Sequence, residues 1–325
     1  MFSAKRISLL LAFLAFFALG GPSLAASPEQ NPETTNRSAL SLGQAAILGI
    51  VEGLTEYLPV SSTGHLLLAE RALSIGRDPN ATAAENMKTK EASDAYTIVI
   101  QLGAILAVLG LYYRRVRQML NGLVGRDAEG RRLLINMLVG FLPAAVIGLL
   151  FNKLIKSYLF GVWPVVIAWF VGGLAILLVS RSRTERNPSQ AKGLLLTEIT
   201  WRMALFIGVA QCIAMWPGVS RSLVTIVGGV LVGLSLAAAV EFSFLLGLIT
   251  LSAATAYDLL KHGQLMLETF DGLSLFVGVA FAFAAAIVSV KWMVGYLQKH
   301  GLAVFGYYRI ALSVVVAGLI LNGII

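Results

Sequence analysis

Apolar runs long enough to cross a bilayer leave a chain few ways to fold, and this chain holds six, at about 97–113, 133–150, 162–180, 240–258, 273–297 and 303–322. Inside lipid no water satisfies backbone N–H and C=O groups, so a span must be a helix or part of a closed barrel. Runs of roughly 20 apolar residues fit helices. Two further apolar stretches, 41–75 and 203–236, are interrupted at Pro59-Val60-Ser61-Ser62-Thr63-Gly64 and at Pro217-Gly218-Val219-Ser220-Arg221-Ser222. Breaks at membrane depth are tolerated only where the unwound backbone is buried in protein or lines a wet cavity. Both stretches therefore read as re-entrant helical hairpins. The expected fold is an all-α integral membrane protein with six transmembrane helices and two such hairpins.

Composition agrees. Of the 325 residues, 57% are hydrophobic and only 13% charged, with a mean hydropathy of +0.80, against about 25% charged residues in soluble domains. The net charge of +8 does not call for a nucleic-acid partner, because the basic residues gather at the ends of apolar runs. Arg114, Arg115, Arg117, Arg126, Arg131 and Arg132 follow the first run, and Arg181, Arg183, Arg186, Lys192 and Arg202 follow the third. The positive-inside rule places both loops in the cytoplasm. Counting crossings then puts both termini outside it, and the mixed-sign stretch from Ser74 to Asp94 with them.

At the N-terminus Lys5 and Arg6 precede a short apolar run, Ile7 to Leu19, and then Ser23-Leu24-Ala25. This is the pattern of a cleaved secretory signal over residues 1–26. Residues 27–38 would form a polar lead and 39–325 a single polytopic domain. Within that domain a weak internal repeat appears, about 39–180 against 198–325. Gly49-Ile50-Val51-Glu52 resembles Gly208-Val209-Ala210-Gln211, and Pro59-Val60-Ser61-Ser62 matches Pro217-Gly218-Val219-Ser220 as Pro-x-x-Ser, with one residue of slippage between. By the span count the two hairpins enter from opposite faces, an inverted-topology plan. The lone Cys212 excludes an internal disulfide and reads as an inert buried thiol. The tryptophans, Trp163, Trp169, Trp201, Trp216 and Trp292, read mainly as interface belts.

The chemistry concentrates at the two breaks. Glu52 and Glu56, four apart, share a helix face within about 6 Å. Two carboxylates so close in a low-dielectric site need a shared proton, a cation or a metal. Ser61, Ser62, Thr63 and Gly64 offer hydroxyls and flexible backbone for an anion at a helix N-terminus, and His65 is placed for proton transfer. In the second break Arg221, flanked by Gly218, Ser220 and Ser222 with Thr225 one turn on, suits a phosphate, whose oxygens the guanidinium fork matches. Glu241 is expected to be structural, with Arg309 as partner, and Gln101 to hydrogen-bond between helices. Nucleotide-binding loops, zinc spacings and haem ligand pairs are missing from the sequence.

Together these segments resemble the undecaprenyl-diphosphatase (bacitracin-resistance) family across nearly all of 39–325. The resemblance rests on Glu52-Gly53-Leu54-Thr55-Glu56, Ser61 to His65, Pro217 to Ser222 and Glu241-Phe242-Ser243-Phe244-Leu245-Leu246. It implies six spans with two inverted hairpins in the bacterial inner membrane, and removal of the terminal phosphate from undecaprenyl diphosphate. Ser62 would be the nucleophile, with His65 and Glu56 as acid/base and orienting groups. Arg221 would clamp the diphosphate, and Glu52 with Glu56 would hold Mg2+ or Ca2+. Whether a phosphoserine forms or water attacks directly stays open, as does a homodimer. Leu223-Val224 stand where the family has smaller residues. A lipid-phosphate carrier is the rival reading, since inverted repeats suit alternating access, but a carrier has little need of an aligned serine and base.

Overall fold

The computed structural model describes residues 40–75, 82–159, 161–182 and 193–323. The expected signal and polar lead lie outside these residues, as do Arg183, Arg186 and Lys192. Eleven α-helices and no named strand occur among the described residues: α1 (Leu42–Thr55), α2 (Ser62–Ala72), α3 (Ala83–Leu111), α4 (Tyr113–Leu123), α5 (Ala128–Leu159), α6 (Val162–Ser182), α7 (Trp201–Gln211), α8 (Arg221–Leu231), α9 (Leu236–Thr269), α10 (Gly272–His300) and α11 (Ala303–Leu321). Six segments are long and apolar enough to cross a membrane: Ala92–Leu111, Ala128–Phe151, Val162–Arg181, Leu236–Lys261, Gly272–His300 and Ala303–Leu321. They match the six runs in the sequence. α3 and α9 extend beyond the apolar runs, because a helix need not stop where its hydrophobic stretch does.

Local signals set several helix starts. α1 opens with a capping box in which Ser41 Oγ accepts from Gln44 N and the Gln44 side chain accepts from Ser41 N. Thr200, Ser235 and Asp271 cap α7, α9 and α10 through their side-chain oxygens. α10 ends at Gly301, whose φ of 67° allows the chain to turn immediately into α11.

The helix that carries Glu52 and ends at Glu56, its C-cap, packs closely on α10. A Cβ at Gly53 would lie 2.2 Å from the Ala282 carbonyl oxygen, and one at Gly49 2.3 Å from that of Gly278. Small residues permit such backbone approach between helices in lipid. Trp169 is buried against this assembly and donates from Nε1 to the Val60 carbonyl at 3.0 Å, so it does not belong to an interface belt. Cys212 is only half-buried, with Sγ on the Gly208 carbonyl.

One fully buried side chain ties the breaks together. Arg309 on α11 donates to the carbonyls of Trp169 (3.3 Å), Pro59 (3.3 Å), Ala168 (2.8 Å) and Gly218 (2.8 Å). It therefore grips α6 and both interrupted segments at once. The expected Glu241–Arg309 pair does not form: Glu241 Oε1 meets Arg115 Nε at 2.7 Å. Two of its acceptors, the carbonyls of Pro59 and Gly218, are backbone oxygens that the breaks release from helical bonding. Replacing Arg309 by Met is expected to strand these buried carbonyls and cost on the order of 3 kcal/mol or more. Thermal unfolding in detergent checks this; Arg309→Met melting with the parent protein would show that the clamp does not support the fold.

Candidate active site

Each break ends on a serine in the left-handed region, Ser61 (φ 73°) directly before α2 and Ser220 (φ 79°) directly before α8. A non-glycine residue there costs roughly 1–3 kcal/mol and persists only where its surroundings impose it. Those surroundings are visible. The Ser61 carbonyl lies 2.7 Å from His65 Nδ1. Ser220 Oγ accepts from Leu223 N at 3.3 Å and pairs with Ser222 Oγ at 2.9 Å. Ser222 Oγ in turn donates to the Leu58 carbonyl at 2.7 Å, stitching the second break to the first. Ser61 follows Glu52 by nine residues, and Ser220 follows Gln211 by nine. Ser62 and Arg221 each follow one of these serines as the first residue of a helix.

At the junction Glu56 is shared. Its Oε2 accepts from Ser62 Oγ at 2.5 Å and its Oε1 from Arg221 Nη2 at 3.1 Å. Arg221 also donates from Nη1 to the Ser243 carbonyl at 3.1 Å, and its guanidinium lies 5.2 Å from the centroid of the Tyr57 ring. Gly247 makes room for it, since a Cβ there would come 2.0 Å from Nη1. Thr225 faces the same region through Ser243 Oγ at 2.7 Å and back-bonds to the Arg221 carbonyl. The arrangement holds a serine hydroxyl against a carboxylate and sets a guanidinium beside it, the equipment for attack at an anionic phosphorus.

Glu52 is buried one turn earlier. Nearby, Gln101 Oε1 accepts from Thr255 Oγ1 at 3.2 Å, so the interhelical bonding expected of Gln101 is present. Glu52 Oε1, Tyr57 Oη and Arg221 Nε are all buried without a hydrogen-bond partner. Buried polar atoms are rarely left so. No cluster of three or more His, Cys, Asp or Glu side chains able to hold a metal occurs among the described residues. The unpartnered Glu52 oxygen nonetheless fits a divalent cation that takes one or two carboxylates and draws its other ligands from substrate phosphates and water, as Mg2+ usually does.

His65 is buried behind Ser62. A carbonyl can only accept, so Nδ1 carries the proton toward Ser61, and in the neutral ring Nε2 accepts from the Tyr308 hydroxyl at 2.7 Å. The acceptor for the Ser62 hydroxyl is Glu56. Gly64 lies flat beneath Trp169, 2.2 Å from a ring carbon for any added Cβ. Gly218 offers its carbonyl to Arg309, and Thr63 is exposed.

A family model described as bacitracin resistance protein BacA matches residues 45–315. The chain belongs to the BacA family. Among relatives, a protein of Sorangium cellulosum named undecaprenyl-diphosphatase is 47% identical over 273 residues, covering 84% of each chain. Undecaprenyl-diphosphatase 2 of Rhodospirillum rubrum is 44% identical over 87% of this chain and 96% of its own, and the Nitrosomonas europaea undecaprenyl-diphosphatase 42% over 85% and 94%. The BacA match spans both breaks and every residue of the cluster described above.

Sequence reasoning missed Tyr57, Tyr308, Ser243 and Gly247 as parts of this BacA site. The last two sit in or just beyond the Glu241 to Leu246 motif, which marked the segment without revealing its task. Of the chain's three histidines, His65 is expected to give the 15N NMR signature of a ring protonated at Nδ1 and bare at Nε2. A signal for protonation at Nε2 alone would contradict the assigned geometry.

Proposed function

We propose that this protein hydrolyses undecaprenyl diphosphate to undecaprenyl phosphate and inorganic phosphate, returning the lipid carrier to cell-envelope synthesis and conferring resistance to bacitracin. The observation that carries this reading is the shared Glu56, bonded on one oxygen to Ser62 and on the other to Arg221. Arg221, with N–H groups to spare, binds the terminal phosphoryl oxygens. Ser62 Oγ attacks phosphorus as Glu56 takes its proton, the bond from phosphorus to the bridging oxygen breaks, and undecaprenyl phosphate leaves with the proton that Glu56 passes to it. Glu56, a carboxylate again, then takes a proton from water as the water attacks the seryl phosphorus; the bond from phosphorus to Ser62 Oγ breaks, Oγ recovers that proton from Glu56, and inorganic phosphate leaves. His65 performs the orienting half of the role suggested by resemblance, fixing the Ser61 carbonyl and so the strained turn that aims Ser62. A divalent cation, when bound, supplies charge neutralisation to the diphosphate. Glu52, with Glu56, would hold it.

The two broken segments are re-entrant hairpins of an inverted repeat. Six candidate spans, the paired strained serines and their equal spacing from Glu52 and Gln211 support this. The arginine-rich stretch from Arg114 to Arg132 favours a cytoplasmic position for the corner between the first two spans, and hence an active site that opens outward.

Release of phosphate from undecaprenyl diphosphate in detergent tests the chemistry. Ser62→Ala and Glu56→Gln should each slow turnover on the order of 10²–10⁴-fold, and chelator should abolish it. Gly247→Ala, which pushes the Arg221 guanidinium off Glu56, should cost on the order of 10²-fold. Full turnover by Ser62→Ala would transfer the attack to water. For sidedness, Thr63→Cys in a Cys212→Ser background should react with an impermeant thiol reagent added outside intact cells. Labelling only from the cytoplasmic side would reverse the orientation.

A further inference from the structure

The corner between the first two spans carries a second concentration of charge that hydrolysis does not use. α4 contains Arg114, Arg115 and Arg117 and no acidic residue, and the turn and helix that follow add Arg126, Arg131 and Arg132. Arg115 is occupied by Glu241 and by Gln118 Oε1. The other five arginines are exposed, against only Asp127 and Glu129. Asp127 is itself engaged in capping, accepting from Gly130 N at 2.7 Å.

The corner is closely packed and amphipathic. Met119 and Gly122 are buried, and a Cβ on Gly122 would lie 2.1 Å from Arg131 N, so the two helices touch backbone to backbone. Beside the arginines, Leu120, Leu123 and Val124 are 58%, 69% and 63% exposed. Since α4 directly joins one candidate span to the next, chain continuity keeps this edge at the bilayer boundary. A cavity of about 70 Å³ opens here, lined by Arg132, Arg115, Gln118, Asn136, Thr197 and Glu129 among others. That volume is several times the roughly 10–15 Å³ a single water needs. Arg132 gives one Nη2 bond to the Ile199 carbonyl at 3.2 Å, which leaves it further donors.

We propose that this corner is a docking surface for an anionic phospholipid of the membrane in which the protein sits, with the lipid phosphate at Arg132 in the cavity, the negative headgroup among the flanking arginines, and the upper acyl chain along Leu120, Leu123 and Val124. Charge complementarity and continuity with two spans select this occupant. The site is separate from the Ser62 cluster. It depends on the proposed topology only for which leaflet supplies the lipid, so the Thr63→Cys labelling can fail without touching it.

The test is ligand-induced stabilisation of the whole protein in neutral detergent, titrated in parallel with short-chain phosphatidylglycerol, phosphatidylcholine of the same chains, and inorganic phosphate. The anionic lipid should bind at least tenfold more tightly than the zwitterionic one, with an advantage that shrinks as salt is raised. Phosphate alone should do nothing at matching concentration. Arg132→Gln should weaken anionic-lipid binding roughly fivefold, and Arg117→Gln with Arg126→Gln, whose side chains make no hydrogen bond or ion pair among the described residues, by more, at about fivefold per arginine. Equal response to the two lipids, full reproduction by phosphate, or undiminished binding in both variants would overturn the proposal.

Discussion

The architecture depends on supplying hydrogen bonds to backbone that a broken helix exposes where no water can reach. Interrupting α1–α2 and α7–α8 releases carbonyls at Leu58, Pro59 and Gly218 from any helical ladder. Left bare in an apolar interior, each would cost of order 1–3 kcal/mol. Arg309 covers two of them and Ser222 the third. A guanidinium suits this because its N–H groups diverge in a plane and keep their charge, so one side chain reaches four acceptors on three separate segments. The reactive groups can then occupy irregular backbone without the fold giving way.

The irregularity is also what makes the site. Were either segment a continuous helix, Ser62 and Arg221 would be buried in side-chain packing and their flanking amides would be spent within the ladder. The left-handed serines turn each chain sharply, so that α2 and α8 begin at one place and present their first residues to each other. Glu56 then receives a hydroxyl from one half and a guanidinium from the other.

Much of this was legible in the sequence because ionisable and hydroxyl residues are conspicuous among apolar ones. Glu52, Glu56, Ser62 and Arg221 stood out for that reason, and the six runs announced the six candidate spans. What stayed hidden involved backbone acceptors or direction. The bonds of Arg309 go to carbonyls, which every residue possesses, so nothing in the sequence marked the partners and Glu241 looked the natural choice. Trp169 could not be told from a belt tryptophan, because facing lipid and facing a neighbouring helix leave the same one-dimensional trace. Gly247 became meaningful only once a guanidinium was seen beside its missing side chain.

Arg309 belongs to the last helix, 250 residues beyond Pro59 and 91 beyond Gly218. A ribosome feeding this chain into the bilayer completes both interrupted segments well before their common anchor is made. Until that final span arrives, the nascent protein holds two turns whose Pro59 and Gly218 carbonyls lack their guanidinium donor. Securing both turns is thus a late event of synthesis, completed only when the span that carries Arg309 inserts.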